Sequence, residues 1–189
     1  SGSTQEIRSP LNAIMGYIQL FEHDRRIPPE RLGALGIMRE SGEHITSILS
    51  GLLDISRIEA GRIELHSDMV ELPVFLESVA QMIRMQAQAR GLRFLWQPGP
   101  LPAVVTCDEH RLRQILLNLL SNAVKFTQHG SVTFSATWQA QIAEFVIEDT
   151  GLGIPPEDQG RIFEPFERSA STASIPGTGL GLTITKLLS

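Results

Sequence analysis

Residues 114–127 read Q-I-L-L-N-L-L-S-N-A-V-K-F-T, and residues 148–155 read E-D-T-G-L-G-I-P. In the first stretch Asn118 and Asn122 are four residues apart and Lys125 follows about one turn later, so a helix carries all three on one side. A neutral amide oxygen is a hard ligand suited to Mg²⁺ held between protein and phosphates. A lysine beside it neutralises phosphate charge. The same letters also describe a helix with a solvated polar face, and the stretch alone does not decide between the two. In the second stretch Asp149 ends a hydrophobic strand run, and Gly151 and Gly153 open a tight loop. A carboxylate at that place can accept a hydrogen bond from an amino group such as that of adenine. Glycines let a flat ring approach the backbone. An ordinary Asp-x-Gly turn has the same composition.

Further along the chain, residues 163–166 read F-E-P-F and a small polar stretch occupies 167–176. Phe163 and Phe166 suit either a mobile lid with an anchored start or a surface loop held by aromatics. Residues 177–182 read G-T-G-L-G-L, and Thr183-Ile184-Thr185 begins a helical pattern. Glycine amides at a helix N-terminus cradle phosphate. The spacing is neither the Walker pattern nor the dinucleotide fingerprint. Between residues 66 and 189, helical patterns at 73–90 and 108–127 alternate with strand patterns at 92–97, 131–138 and 142–149. Gln139-Ala140-Gln141 reads as a hairpin turn without the usual Asn-Gly signal. This order predicts an α+β sandwich, with helices on one face of a mixed sheet.

Residues 1–65 differ. Ile7, Leu11, Ile14, Ile18 and Phe21 repeat as the a and d positions of an amphipathic helix. Asp24-Arg25-Arg26-Ile27-Pro28-Pro29-Glu30 breaks the pattern, and its prolines permit a turn and a new helix start. Leu32, Leu35, Ile45, Ile48, Leu52 and Ile55 lie along one side of a second helix, widened by Leu49, Leu53 and Ile58. Gly61 is placed to cap its end. An isolated helical hairpin leaves much apolar stripe wet, and each large side chain buried is worth roughly 1.5–3 kcal/mol. Two hairpins pairing into a four-helix bundle recover that energy, so a homodimer is expected. Pro10 falls inside the first helix and is expected to bend it.

The chain has 189 residues, 42% of them hydrophobic, and a formal net charge of −5. No basic run marks a nucleic-acid or lipid contact. The single cysteine, Cys107, excludes an internal disulfide and suits a reducing compartment. No stretch approaches the roughly 20 apolar residues of a membrane span, and the first residues have no signal-peptide character.

Four segments, at 114–127, 148–155, 163–166 and 177–182, resemble in order and spacing the N box, first glycine box, phenylalanine box and second glycine box of the sensor histidine kinase ATP domain. That family shares its nucleotide fold with gyrase and the heat-shock chaperone ATPases. Residues 51–61, G-L-L-D-I-S-R-I-E-A-G, resemble the end of the family's second dimerisation helix. Residues 4–12, T-Q-E-I-R-S-P-L-N, resemble its phosphoacceptor box S-H-E-[IL]-R-[ST]-P-L, with Gln5 where the family has histidine. The likeness runs from residue 4 to residue 189 and is greatest to hybrid-type sensors.

The resemblance implies ATP and Mg²⁺ as cofactors. Asn122 would bind Mg²⁺, Asn118 would lie near the phosphates and Lys125 would contact one. Asp149 would recognise the adenine amino group, with Gly151 and Gly153 shaping its pocket. Gly177, Thr178, Gly179, Leu180 and Gly181 would form the lid hinge and phosphate end, with Phe163 and Phe166 anchoring the lid. Glu6 would be the general base beside the acceptor, Ser9 would match the position used in the family's phosphatase reaction, and Arg8 could pair with a carboxylate or phosphoryl group. None of His23, His44, His66, His110 and His129 stands in a matching context. The expected partners are a second copy of the chain and a response-regulator receiver domain, with no nucleic acid. The expected place is the cytoplasmic part of an inner-membrane sensor whose membrane segments lie outside this sequence. The family continues beyond its second glycine box, so the ATP domain is expected to be cut short at Ser189. A glutamine amide is no nucleophile, so autophosphorylation is expected to fail. The alternative is a regulatory pseudokinase or dimerisation scaffold with residual phosphatase activity on the receiver.

Overall fold

In the computed structural model, residues 2–59, 65–165, 182, 185 and 186 are described. The chain divides into two compact units, Ser1–Arg62 and Ile63–Ser189.

The first unit is a helical hairpin of α1 (Gly2–Glu22) and α2 (Pro29–Glu59). Its turn is built on Asp24. Asp24 N–H donates to the Phe21 carbonyl at 3.2 Å, and Ile27 N–H to the Asp24 carbonyl at 3.0 Å. The Asp24 carboxylate accepts from Arg26 N–H at 2.9 Å and from its guanidinium at 2.8 Å. That side-chain bond first, then the backbone bond, holds the Asp24 carboxyl below its usual range. Pro29 opens α2, where its missing N–H costs nothing. Pro10 lies inside α1, and Gly61 falls outside the described residues.

The structure divides the a/d seam of α1. Leu11 and Ile18 are buried, whereas Ile7, Ile14 and Phe21 stay exposed, as do Leu32, Ile37, Ile45 and Leu52 of α2. A single neighbouring helix covers only one flank of a stripe this wide. The helices approach closely where Gly42 faces Met15, because a Cβ on Gly42 would overlap the Met15 Sδ. Arg8 donates to Ser50 Oγ at 3.1 Å and Arg39 to Glu22 at 3.1 Å, both across the pair.

The second unit holds β1 (Asp68–Val70), α3 (Leu72–Ala89), β2 (Arg93–Pro98), β3 (Val105–Cys107), α4 (Glu109–Phe126), β4 (Ser131–Gln139) and β5 (Ile142–Asp149). β2 pairs parallel with β4, and β4 antiparallel with β5, giving a mixed sheet in the order β2-β4-β5. β1 and β3 form a separate antiparallel pair. Three alternate residues of β4, Val132, Phe134 and Ala136, are fully buried, and the next, Trp138, is half-buried. These pack with Leu76, Val79 and Ile83 of α3 and Leu116 and Leu120 of α4. Both helices therefore cover one face of the sheet, as the patterning predicts. Trp96 and Phe145 flank Phe134, with ring centroids 4.6 and 6.4 Å away.

Two features were not visible in the pattern. β1 and β3 are three residues each, too short to show alternation. The β4–β5 turn places Ala140 at φ 49 and Gln141 at φ 64. Left-handed values at both central residues are the type I′ geometry that matches strand twist, adopted without the Asn-Gly pair that favours it.

Candidate functional site

Helix α4 and strand β5 bring the sequence-marked residues to the second unit. Asp108 precedes α4 and caps it, its carboxylate accepting from Arg111 N–H at 2.9 Å. A second bond comes from His66 N–H at 3.0 Å. Burial pushes the Asp108 carboxyl up, but these two bonds and the nearby charges of Arg111 and His66 outweigh it and hold the group below its usual range. Asn118, Asn122 and Lys125 lie along α4 at helical spacing, each half-buried. The Lys125 Nζ sits 5.1 Å from the Phe126 ring centroid, and its carbonyl accepts from Arg90 at 3.2 Å.

The C-terminal end of α4 meets the loop after β5. Thr127, fully buried, donates its hydroxyl to the Ala123 carbonyl at 2.7 Å. Gly151 rests against this end. A Cβ there would lie 2.7 Å from the Phe126 carbonyl oxygen, 2.7 Å from Asp149 Oδ1 and 3.1 Å from Thr127 Oγ1. Only glycine allows that approach. Gly151 N–H donates to Asp149 Oδ1 at 2.8 Å, closing a two-residue Asx turn. Thr150 ties the same loop back, accepting from Ser131 N–H at 3.0 Å.

The turn opens onto a cleft of about 550 Å³ lined by Asp149, Gly151, Gly153, Ile154, Gln159, Ile162 and Phe163. Gly153 takes φ 70, a left-handed value that favours glycine. Gln159 donates to the Ile154 carbonyl at 3.1 Å. The Lys186 Nζ lies 5.4 Å from the Phe163 ring centroid. The cleft thus joins one carboxylate, glycine backbone and apolar walls, a combination suited to a flat heterocycle bearing a hydrogen-bond donor.

Four sequence-marked residues, Asp149, Gly151, Gly153 and Phe163, come together in this cleft. Asn118, Asn122 and Lys125 are on α4 and outside its lining. Glu6, Arg8 and Ser9 lie exposed on α1, and Gln5 is on the backbone of the same helix. Phe166, Gly177, Thr178, Gly179, Leu180 and Gly181 fall outside the described residues, as does the stretch 167–176. Ile154, Gln159 and Ile162 are additions that sequence reasoning missed. Ile162 directly precedes F-E-P-F and could have been read with it. Gln159 had no signal, because its reach depends on turns such as Asp158 N–H to the Pro155 carbonyl and Ile162 N–H to the Asp158 carbonyl. Among the described residues no helix is long and apolar enough to cross a membrane.

Residues 1–61 match the family described as His Kinase A (phospho-acceptor) domain. Residues 107–189 match the family described as histidine kinase-, DNA gyrase B-, and HSP90-like ATPase. The histidine protein kinase DivJ of Caulobacter vibrioides is 37% identical over 190 residues, spanning 97% of this chain and 31% of DivJ. The aerobic respiration control sensor protein ArcB of Escherichia coli is 35% identical over 190 residues, spanning 98% of this chain and 24% of ArcB. The chain therefore spans less than a third of either curated relative's length. Among solved structures, full-length ShkA in complex with AMPPNP matches with a TM-score of 0.81 at 36% identity, covering 98% of this chain and 39% of that one. The mycobacterial sensor histidine kinase MprB matches with a TM-score of 0.53 at 31% identity, covering 65% of this chain and 78% of that one. With a helical hairpin of the phospho-acceptor type followed by a gyrase-like ATPase unit, the chain belongs to the sensor histidine kinases.

Proposed function

We propose that this chain is the Mg-ATP-binding core of a two-component sensor kinase, stopped before phosphoryl transfer because Gln5 occupies the acceptor position. The observation that carries the nucleotide reading is the Asp149–Gly151 turn, seated on the end of α4 and facing an apolar cleft. The residues fit an adenine ring. Asp149 Oδ1 is taken by Gly151, and Oδ2 receives no hydrogen bond from the described residues. Ile154, Ile162 and Phe163 supply flat apolar contact. Asn122 would hold Mg²⁺, with Asn118 and Lys125 toward the phosphates. Gly177, Thr178, Gly179, Leu180 and Gly181 would close the phosphate end, with Phe166 anchoring the lid. Bound Mg-ATP supplies the phosphoryl group and the cation that neutralises its charge.

In the first unit Glu6 would act as general base and Ser9 would orient water in the reverse, phosphatase direction. Gln5 retains hydrogen-bonding capacity, but its amide nitrogen lone pair is delocalised into the carbonyl and cannot attack phosphorus in line. The exposed apolar residues of α1 and α2 favour a homodimer through a four-helix bundle. The onward acceptor would be a response-regulator receiver domain, with the core working in the cytoplasm beneath a membrane sensor.

Gln5 also favours a second reading, a regulatory pseudokinase acting through dimerisation or receiver dephosphorylation. Two measurements separate these. Calorimetry with Mg-ATP is expected to show binding, and its absence favours the scaffold. Incubation with γ-labelled ATP is expected to leave the wild-type chain unlabelled and to label Gln5→His with an acid-labile bond. An unlabelled Gln5→His chain that still binds ATP would sink the idea that the acceptor alone is missing.

A further inference from the structure

Thr127 is the buried polar residue at the junction between α4 and the cleft. It is 0% exposed, and its backbone has left the helix at φ −98, ψ 118. The last carbonyls of a helix lack intrahelical partners, and the Thr127 hydroxyl returns to one of them, Ala123, at 2.7 Å. This fixes the hydroxyl oxygen in one place. That oxygen and the Phe126 carbonyl form the surface on which Gly151 lies, within 3.1 and 2.7 Å of where a Cβ would stand. Gly151 in turn donates to Asp149 Oδ1 at 2.8 Å. The chain of contacts runs from helix end to hydroxyl, glycine and carboxylate.

We propose that Thr127 is a positioning residue for base selection. Its locked hydroxyl seats Gly151 and thereby aims the Asp149 carboxylate into the cleft. This rests on the nucleotide reading above. Adenine presents an amino donor where guanine presents a carbonyl acceptor, so a correctly aimed carboxylate attracts the first and repels the second. The preference for ATP over GTP therefore reports the aim of Asp149, whereas folding stability does not.

Thr127→Val keeps the volume and removes the hydroxyl. Thr127→Ser keeps the hydroxyl and removes the methyl. By calorimetry with Mg-ATP and Mg-GTP, Thr127→Val is expected to lose about tenfold in the ATP-to-GTP affinity ratio, the size of one misaimed charge-assisted hydrogen bond. Thr127→Ser is expected to keep the wild-type ratio even though its smaller side chain lowers the melting temperature. In the nucleotide-free chain, amide exchange at Gly151 is expected to quicken in Thr127→Val and not in Thr127→Ser, with the β4–β5 amides unchanged in both. Should Thr127→Val not fold, Thr127→Ala serves as the hydroxyl-free variant. A wild-type chain that binds neither nucleotide overturns the nucleotide reading and the base-selecting role with it. A wild-type chain that prefers ATP, with Thr127→Val keeping both that preference and the Gly151 exchange rate, overturns the role of Thr127 alone.

Discussion

Gly151 and Gly153 are two residues apart, yet they are glycine for different reasons. At Gly151 the obstacle is space, since a Cβ would stand 2.7 Å from the Phe126 carbonyl oxygen and from Asp149 Oδ1. At Gly153 there is open space, and the obstacle is the φ of 70. Gly151→Ala is therefore expected to destabilise the second unit by about 1–3 kcal/mol through overpacking and to abolish nucleotide binding by displacing Asp149. Gly153→Ala is expected to cost about 1–2 kcal/mol for the left-handed backbone while leaving the Asp149 turn in place. Urea unfolding with parallel nucleotide titration checks both, and equal binding losses would refute the distinction. Cys107 offers another residue-scale test. Burial first, then the carboxylates of Asp108, Glu109 and Asp68, push its thiol up. Its reaction with a thiol reagent at neutral pH is expected to be slow until denaturant exposes it; prompt labelling of the native chain would contradict this.

At the scale of elements, α4 depends on its first residue. Removing the cap with Asp108→Ala is expected to cost about 1 kcal/mol. The folded-state carboxyl of Asp108 is depressed, so its contribution is full above the ordinary carboxylate range and is lost as pH falls through the lowered folded value. The gap between wild type and Asp108→Ala should thus be constant near neutrality and narrow only in strong acid. A gap that widens on acidification would contradict the sign. The β4–β5 turn makes the opposite kind of prediction. Ala140 and Gln141 hold left-handed values that favour other residues. Replacing them with Asn and Gly is expected to raise stability by about 1 kcal/mol, read as a higher denaturation midpoint with an unchanged slope. The strands were legible because β4 alternates polar and apolar residues and β5 reads as a hydrophobic run that ends at Asp149. The turn type was not, because neither residue in it carries the usual preference.

On the scale of the whole molecule, the first unit leaves apolar side chains in water. Ile14 is 56% exposed and Ile37 is 67% exposed. Burying such residues is worth roughly 1.5–3 kcal/mol each, so the intact chain is expected to sediment as a dimer. Ile14→Glu combined with Ile37→Glu is expected to yield a monomer whose second unit melts as in the wild type, because that unit has its own core. A wild-type chain that remains monomeric at high concentration would refute the dimer.

The sequence by itself determined the helices, the three long strands and the change from a helical unit to a mixed one, and it marked Asp149, Gly151, Gly153 and Phe163, which the structure gathers in one cleft. Each of these rests on local periodicity or on residue types with narrow chemical uses. The limit proposed at Gln5 likewise comes from sequence, since an amide is a poor nucleophile in any surroundings. Only the tertiary structure decided that Gly151 lies on the end of α4 and that Thr127 fixes that end. It alone brought Gln159, Ile154 and Ile162 into the cleft, and it alone divided the α1 seam between Leu11 and Ile18 inside and Ile14 outside. Those facts depend on which segments meet in space, and close approach between residues distant in sequence leaves no pattern within either one.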